Sequence, residues 1–257
     1  MPILTLDAVD LFYQERGNAI PAIFLHGFAL DHTMWLDQLQ GLARMRRGIA
    51  VDLRGFGRSG IGHQPGRAQA NHAADVLAVL EHLAGEPADL VGHSMGAHLA
   101  LQVASAAPDR VRSLALFGVM PREEYAFPPR SPDALLRPKE EVARRWADGM
   151  LAAGASLTAR ARTIAMAMTV DWAAVYPEPG AGRAPDAAAH APGVPVLLAT
   201  GGEDPITPPA AVARLAARLG ATFEAIPGAG HLPPVESPAA VTELLAGFWS
   251  AQARAAH

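Results

Sequence analysis

The stretch DLVGHSMGAHLA, residues 89–100, decides the fold. An apolar run ends at Gly92, a serine stands at position 94 between His93 and Met95, and Gly96 opens a segment with helical spacing. Gly92-His93-Ser94-Met95-Gly96 therefore reads G-x-S-x-G after an expected strand and before an expected helix, the setting that makes a nucleophile elbow. A strand-to-helix turn this tight strains its central residue by roughly 1–3 kcal/mol and leaves no room for a side chain two places away. The two glycines follow from that crowding. The bend would lift the Ser94 hydroxyl clear of a sheet and aim the first N–H groups of the helix at any negative charge formed there. From the motif alone, a serine that merely caps a helix is an equal alternative.

Outward from this stretch, short apolar runs alternate with longer helical segments, which predicts strands joined through helices into a mostly parallel sheet. ILTL (3–6) and VDLFYQ (9–14) lie too close together for a crossover and should pair antiparallel. AIFLHG, GIAVDLRG, ADLVGHS, RSLALFGV, VPVLLATG and ATFEAIPG supply six more strands, with helices expected near 33–43, 69–84, 95–106, 208–219 and 238–252. Thr207 before Pro208, and Ser237 before Pro238, each predict a hydroxyl N-cap followed by proline at the first helical position. The expected fold class is α/β, an eight-stranded sheet flanked by helices. Residues 120–192 break the rhythm, because a crossover needs only one helix. They are expected to form an inserted helical lid after the sixth strand, leaving 1–119 and 193–257 as the core domain. RPKEEVARRWADGMLAAG (137–154) and LTARARTIAMAM (157–168) carry its helical spacing. Met166, Met168 and Trp172 either line a pocket or pack the lid on the body.

Half of the 257 residues are apolar, enough for one sizeable core. A formal net charge of −4 supplies no electrostatic reason for nucleic acid or an anionic membrane as partner, so a small neutral molecule is the expected one. The chain has no cysteine, which excludes disulfides, thiolate zinc sites and thiol nucleophiles. MPILTLDAVDLF at the N-terminus has no basic region, and no window reaches the ~18 apolar residues of a membrane span. A cytoplasmic location is the default expectation, and self-association is left open.

A serine hydroxyl needs a base to take its proton, and the base needs a carboxylate to hold its tautomer. GGEDPITPP (201–209) puts Asp204 just past the carboxyl end of one strand, and GAGHLPPVE (228–236) puts His231 past another. The order Ser94, Asp204, His231 is that expected of such a sheet. Glu203 is the rival acid, one residue early. IFLHGFALDHTMW (23–35) ends a further strand, and the backbone N–H groups of Phe28 and Met95 are the expected oxyanion donors. His26 reads as a hydrogen-bonded structural residue.

The chain resembles the α/β-hydrolase superfamily along its whole length outside the lid. HGF with Trp35, VDLRGFGRS (51–59), VGHSMGA, PDRVRSLAL (108–116), GGEDPITPP and GAGHLPPVESP stand in that superfamily's order and spacing. The resemblance implies Ser94 as nucleophile, Asp204 as acid, His231 as base, and Phe28 and Met95 as oxyanion donors. It is nearest to small esterases grouped with cofactor-free bacterial haloperoxidases and to 3-oxoadipate enol-lactone hydrolases. The expected activity is hydrolysis of a carboxylic ester or lactone through an acyl-enzyme, with no cofactor and no metal. Carbon–carbon bond hydrolysis, perhydrolysis with the same triad, and a slow-turnover ligand receptor are the alternatives.

Gly27, Met120, Trp146, Met166, Trp172, Ile206 and Leu232 are the expected substrate-pocket residues, all uncharged, which predicts an apolar acyl or aryl group of modest size. Arg122 and Arg137 are rival anchors for a substrate carboxylate. Gly55-Phe56-Gly57-Arg58-Ser59-Gly60 is a literal G-x-G-x-x-G, but two more glycines and a proline follow where a phosphate-binding helix should start. Ser59, Asp52 and Arg54 read as braces of that turn, and His63, His72 and His82 as solvated surface residues.

Overall fold

The computed structural model describes residues 2–6, 9–63, 68–121, 124, 137–171 and 193–255. Eight strands form one sheet: β1 Ile3–Leu6, β2 Val9–Arg16, β3 Pro21–Leu25, β4 Arg47–Val51, β5 Ala88–His93, β6 Val111–Phe117, β7 Val196–Gly201 and β8 Thr222–Ile226. Their spatial order is β1-β2-β4-β3-β5-β6-β7-β8. The β1–β2 and β2–β4 pairs are antiparallel and the other five are parallel. The chain runs outward from β3 to β4 and returns on the other side at β5, so the strand order switches direction between β3 and β5, where open α/β sheets place their sites.

The helices are α1 Leu36–Leu42, α2 Ala68–Val79, α3 Met95–Ala106, α4 Lys139–Met150, α5 Leu157–Thr169, α6 Pro209–Leu219, the short turn α7 Pro233–Glu236, and α8 Pro238–Ala255. Strand side chains alternate between two apolar layers. Ile23 and Leu25 pack with Val76 of α2 and Leu215 of α6, whereas Ala22 and Phe24 pack with Leu39 of α1 and Leu245 of α8. That period of two, on strands buried along both faces, is what covering helices on each side require. Between β6 and β7 only α4 and α5 of the inserted segment lie within the described residues, and they pack on each other. No helix among the described residues is long and apolar enough to cross a membrane.

Two expectations need correction. Thr207 does not cap α6, which starts at Pro209 with Pro208 at its N-cap; the Thr207 hydroxyl instead faces Asp204, donating to Oδ2 at 2.5 Å. His72 is buried, not solvated: its Nε2–H donates to the Arg54 carbonyl at 3.0 Å and its ring packs on Phe56. Beside it lies a buried two-pronged pair, Arg54 Nε and Nη2 to Asp75 at 2.8 and 2.6 Å, so α2 is tied down over the turn at 54–60. The braces of that turn are as expected, with Ser59 Oγ donating to the Asp52 carbonyl and Asp52 Oδ2 accepting the Arg58 N–H.

Candidate active site

Four loops meet at the carboxyl ends of the parallel strands: 26–30 after β3, Ser94 after β5, 202–207 after β7 and 227–232 after β8. Among the described residues, only two other than glycine have positive φ, Ala29 (60°) and Ser94 (49°), and both are in these loops. Each such position costs roughly 1–3 kcal/mol and is kept where the surroundings over-determine it. At the elbow those surroundings are explicit. The Ser94 N–H donates to the Phe117 carbonyl at 2.8 Å, and its own carbonyl accepts from Ala97 and His98, which starts α3. A Cβ on Gly92 would lie 2.5 Å from the Gly96 carbonyl oxygen, and one on Gly96 would lie 2.4 Å from that of Leu25. Both glycines are steric necessities, as the motif implies.

Asp204, 4% exposed, and His231, 3% exposed, come together at a 2.8 Å hydrogen bond from Nδ1–H to Oδ2. Oδ2 also accepts the Thr200 and Thr207 hydroxyls, at 2.7 and 2.5 Å, while Oδ1 accepts the N–H groups of Ile206 and Thr207 at 2.7 and 2.8 Å. Burial pushes this carboxyl up, but the hydrogen bond and charge of His231 and the bonds from Thr207 outweigh it and hold Asp204 at about 2. An ionised Asp204 accepts only, so Nδ1 keeps its proton and Nε2 is left as the basic atom. Glu203 is exposed and does not share this environment.

The carbonyl of Gly27 accepts both the Leu30 N–H at 3.3 Å and His26 Nδ1–H at 2.7 Å, and His26 Nε2 accepts the Leu53 N–H at 2.9 Å. Since the peptide is trans, fixing that carbonyl turns the Phe28 N–H to the opposite side of the same plane. His26 is therefore structural, as expected, and its structure orients an expected oxyanion donor. Met95 is the first residue of α3, where N–H groups have no partner within the helix.

His93, inside the motif, carries no task in the sequence pattern, yet its Nε2–H donates to the His231 carbonyl at 2.7 Å and the two rings meet edge to face at 4.9 Å. Burial is the chief cause that lowers its pKa to about 3, with the neighbouring His231 adding to it. Burial likewise lowers His72 to about 4. Both are depressed, so the unfolded chain takes up their protons first, and stability present at neutral pH is lost as pH falls below the unfolded value of about 6.5. Urea unfolding at pH 5 should accordingly yield about 4 kcal/mol less stability than at pH 7 from these two groups, and His72→Gln should recover about half of that difference. An equal pH dependence in His72→Gln would show that His72 is not the source.

The expected pocket residues divide. Gly27 sits in the oxyanion loop and Ile206 is half-buried beside Asp204. Met120 is buried, and Trp146 is half-buried and packs against both apolar clusters. Met166 and Leu232, 2% and 0% exposed, belong to the apolar cluster with Trp35 and Val235. Met168 is 37% exposed on α5, and Trp172 and Arg122 lie outside the described residues. Arg137 forms an exposed pair with Glu141. Asp31, His32 and Asp52 cluster within metal-ligand distance. Their atoms are committed, however: Asp52 Oδ1 to His32 N–H and Nδ1, and Asp31 Oδ1 to the Thr33 N–H.

With that geometry established, the family follows: the α/β hydrolase fold model matches residues 21–238, and the chain belongs to this family. Among curated proteins it is 39% identical over 125 residues to a non-heme haloperoxidase of Rhodococcus erythropolis, covering 47% of this chain and 45% of that one. Among solved structures it is similar to Est816, described as an N-acyl homoserine lactone degrading enzyme (26% identity, 96% and 100% coverage, TM-score 0.79). It also shares the fold of an enol-lactonase from Burkholderia xenovorans LB400 (24% identity, 97% and 100% coverage, TM-score 0.80). The chain spans less than two thirds of the length of the first curated relatives it matches.

Proposed function

We propose that this protein is a serine hydrolase that cleaves a carboxylic ester or lactone of a small, largely apolar substrate through an acyl-enzyme. The observation that carries the reading is a strained Ser94 at the strand-to-helix turn, with a buried Asp204–His231 pair on neighbouring loops at the same sheet end. His231 Nε2 takes the Ser94 proton as Oγ attacks the carbonyl carbon, and the Phe28 and Met95 N–H groups hold the oxygen that becomes negative. His231 then gives the proton to the leaving alkoxide. A water, deprotonated by the same nitrogen, attacks the acyl-serine, and the acid leaves as Ser94 regains its proton. Asp204 stays ionised throughout and supports the imidazolium.

The segment 120–192 serves as the cover of this site, above a core formed by 1–119 and 193–257. From this segment Ala143 and Ala167 enter one apolar cluster, Ala147, Leu151 and Met166 enter the other, and Trp146 packs against both. Pairing of the exposed Arg137 with Glu141 favours a neutral substrate over a carboxylated one. The similarity to a lactone-degrading enzyme supports keeping lactones beside open-chain esters.

The test is a panel of p-nitrophenyl acetate, butyrate and octanoate, an N-acyl homoserine lactone and a carboxylated enol-lactone, together with fluorophosphonate labelling. Turnover on the order of 10 per second on a neutral substrate, with labelling at Ser94, is the expected result. Preference for the carboxylated lactone would overturn the neutral pocket, and labelling without turnover of any member would set the ester and lactone reading aside.

A further inference from the structure

Glu236, five residues after His231 in HLPPVESP, takes no part in the proposed hydrolysis. Glu236 ends α7 with its carboxylate turned back on the loop before it. Oε2 accepts the Gly230 N–H at 3.0 Å and the Ala152 N–H at 2.8 Å, and Oε1 accepts the Leu232 N–H at 3.0 Å. Between those two loop residues, the His231 N–H donates to the Met150 carbonyl at 2.7 Å. The His231 carbonyl is held in turn by His93 Nε2–H at 2.7 Å. Thus the N–H groups of 230, 231 and 232 all have partners; His231 reaches Met150 at the end of α4 directly, and Glu236 reaches Ala152 just beyond it. The contact is close: a Cβ on Gly230 would lie 2.3 Å from Ala152 N and 2.8 Å from the Met150 oxygen. Leu151 and Ala152, which follow α4, are buried.

We propose that Glu236 is a positioning residue for His231: its carboxylate clamps the histidine loop to the carboxyl end of α4, so the inserted helices support the base and are not a free cover. The inference rests on His231 being the base. A carboxylate suits the task because both of its oxygens accept, whereas an amide has one accepting oxygen and an N–H group that would face a donor. Whichever way a glutamine turned, at least one of the three N–H groups would lose its partner. A loop loosened by the order of 1 Å misplaces Nε2 from the serine proton, and such misplacement lowers turnover by up to about a hundredfold with little effect on binding.

The experiment compares wild type, Glu236→Gln, Gly230→Ala and Leu80→Ala at a temperature where all are folded. Leu80 lies at the opposite end of the strands, where its carbonyl accepts from Arg110, and its truncation is a stability control. The readouts are kcat and KM on the best substrate, the rate of fluorophosphonate labelling, and amide exchange over 149–153 and 229–233. The expected result is a kcat lowered about ten- to a hundredfold in Glu236→Gln and Gly230→Ala, with KM within about threefold, slower labelling and faster exchange in both segments. Leu80→Ala should keep its kcat while melting earlier. A kcat in both loop variants within threefold of wild type, or an equal loss in Leu80→Ala, would overturn the positioning role. If wild type neither labels nor turns over, the hydrolase reading has failed, and a positioning role for Glu236 in hydrolysis falls with it. Exchange in Glu236→Gln then separates the clamp from the chemistry: an unchanged rate would overturn the clamp as well.

Discussion

Replacing Ser94 by alanine should lower kcat by on the order of a millionfold and abolish fluorophosphonate labelling, because removing the nucleophile leaves only binding and the oxyanion donors. The fold should not suffer. Ser94 is held at φ 49°, ψ −109° by the Phe117 hydrogen bond, a backbone contact that alanine keeps. A glycine there relieves the strain that a Cβ imposes, so Ser94→Gly should be inactive yet more stable than wild type by about 1 kcal/mol, even after the entropy that glycine adds to the unfolded chain. A urea titration and a single rate measurement on the two variants check both halves. Residual activity in Ser94→Ala above about a thousandth of wild type would remove Ser94 from the chemistry.

Asp204→Asn should be the second most damaging change, with kcat down by about ten thousandfold. The cause is the ring of donors around this side chain. Oδ2 faces the Thr200 and Thr207 hydroxyls and His231 Nδ1–H, and Oδ1 faces two backbone N–H groups. An amide satisfies only one side, and with its NH2 toward His231 it forces the proton from Nδ1 to Nε2, the wrong atom for a base. The variant should also lose stability. The wild-type carboxyl is held at about 2 against an unfolded value near 3.9, a depressed acid that contributes about 2–3 kcal/mol above pH 4 and loses it as pH falls toward 2. In thermal melts the part of the difference between the two proteins that comes from this charge should therefore be about half as large at pH 3 as at pH 7. Combining Asp204→Asn with Ser94→Ala should cost no more activity than Ser94→Ala alone, since the residues act as one unit.

Much of this site is legible in the chain because each of its parts is a local pattern. A run of apolar residues, two glycines around a serine and a helical run are contiguous, and the steric conflict that demands Gly92 arises within five residues. The carboxyl ends of VPVLLATG and ATFEAIPG place Asp204 and His231 at the same edge once the strands are taken as parallel, and the sheet pairs them so. The expected cap at Thr207 fails because the helix starts one residue later, at Pro209, and the Thr207 hydroxyl faces a carboxylate three residues earlier, to which it donates.

The sequence by itself determined the strand order along the chain, the elbow and the two late loops, since these follow from periodicity and from turn chemistry over a few residues. Only the tertiary structure decided what surrounds them. His93 meets the His231 carbonyl across 138 residues of chain, and Glu236 meets Ala152 across 84. His72 became a buried base over a turn eighteen residues away. Such hydrogen bonds leave no local signature, because a histidine or glutamate on a polar stretch looks the same whether its partner is water or a distant peptide. The difference is set when packing removes the water, and each buried donor or acceptor must then find its partner in another segment.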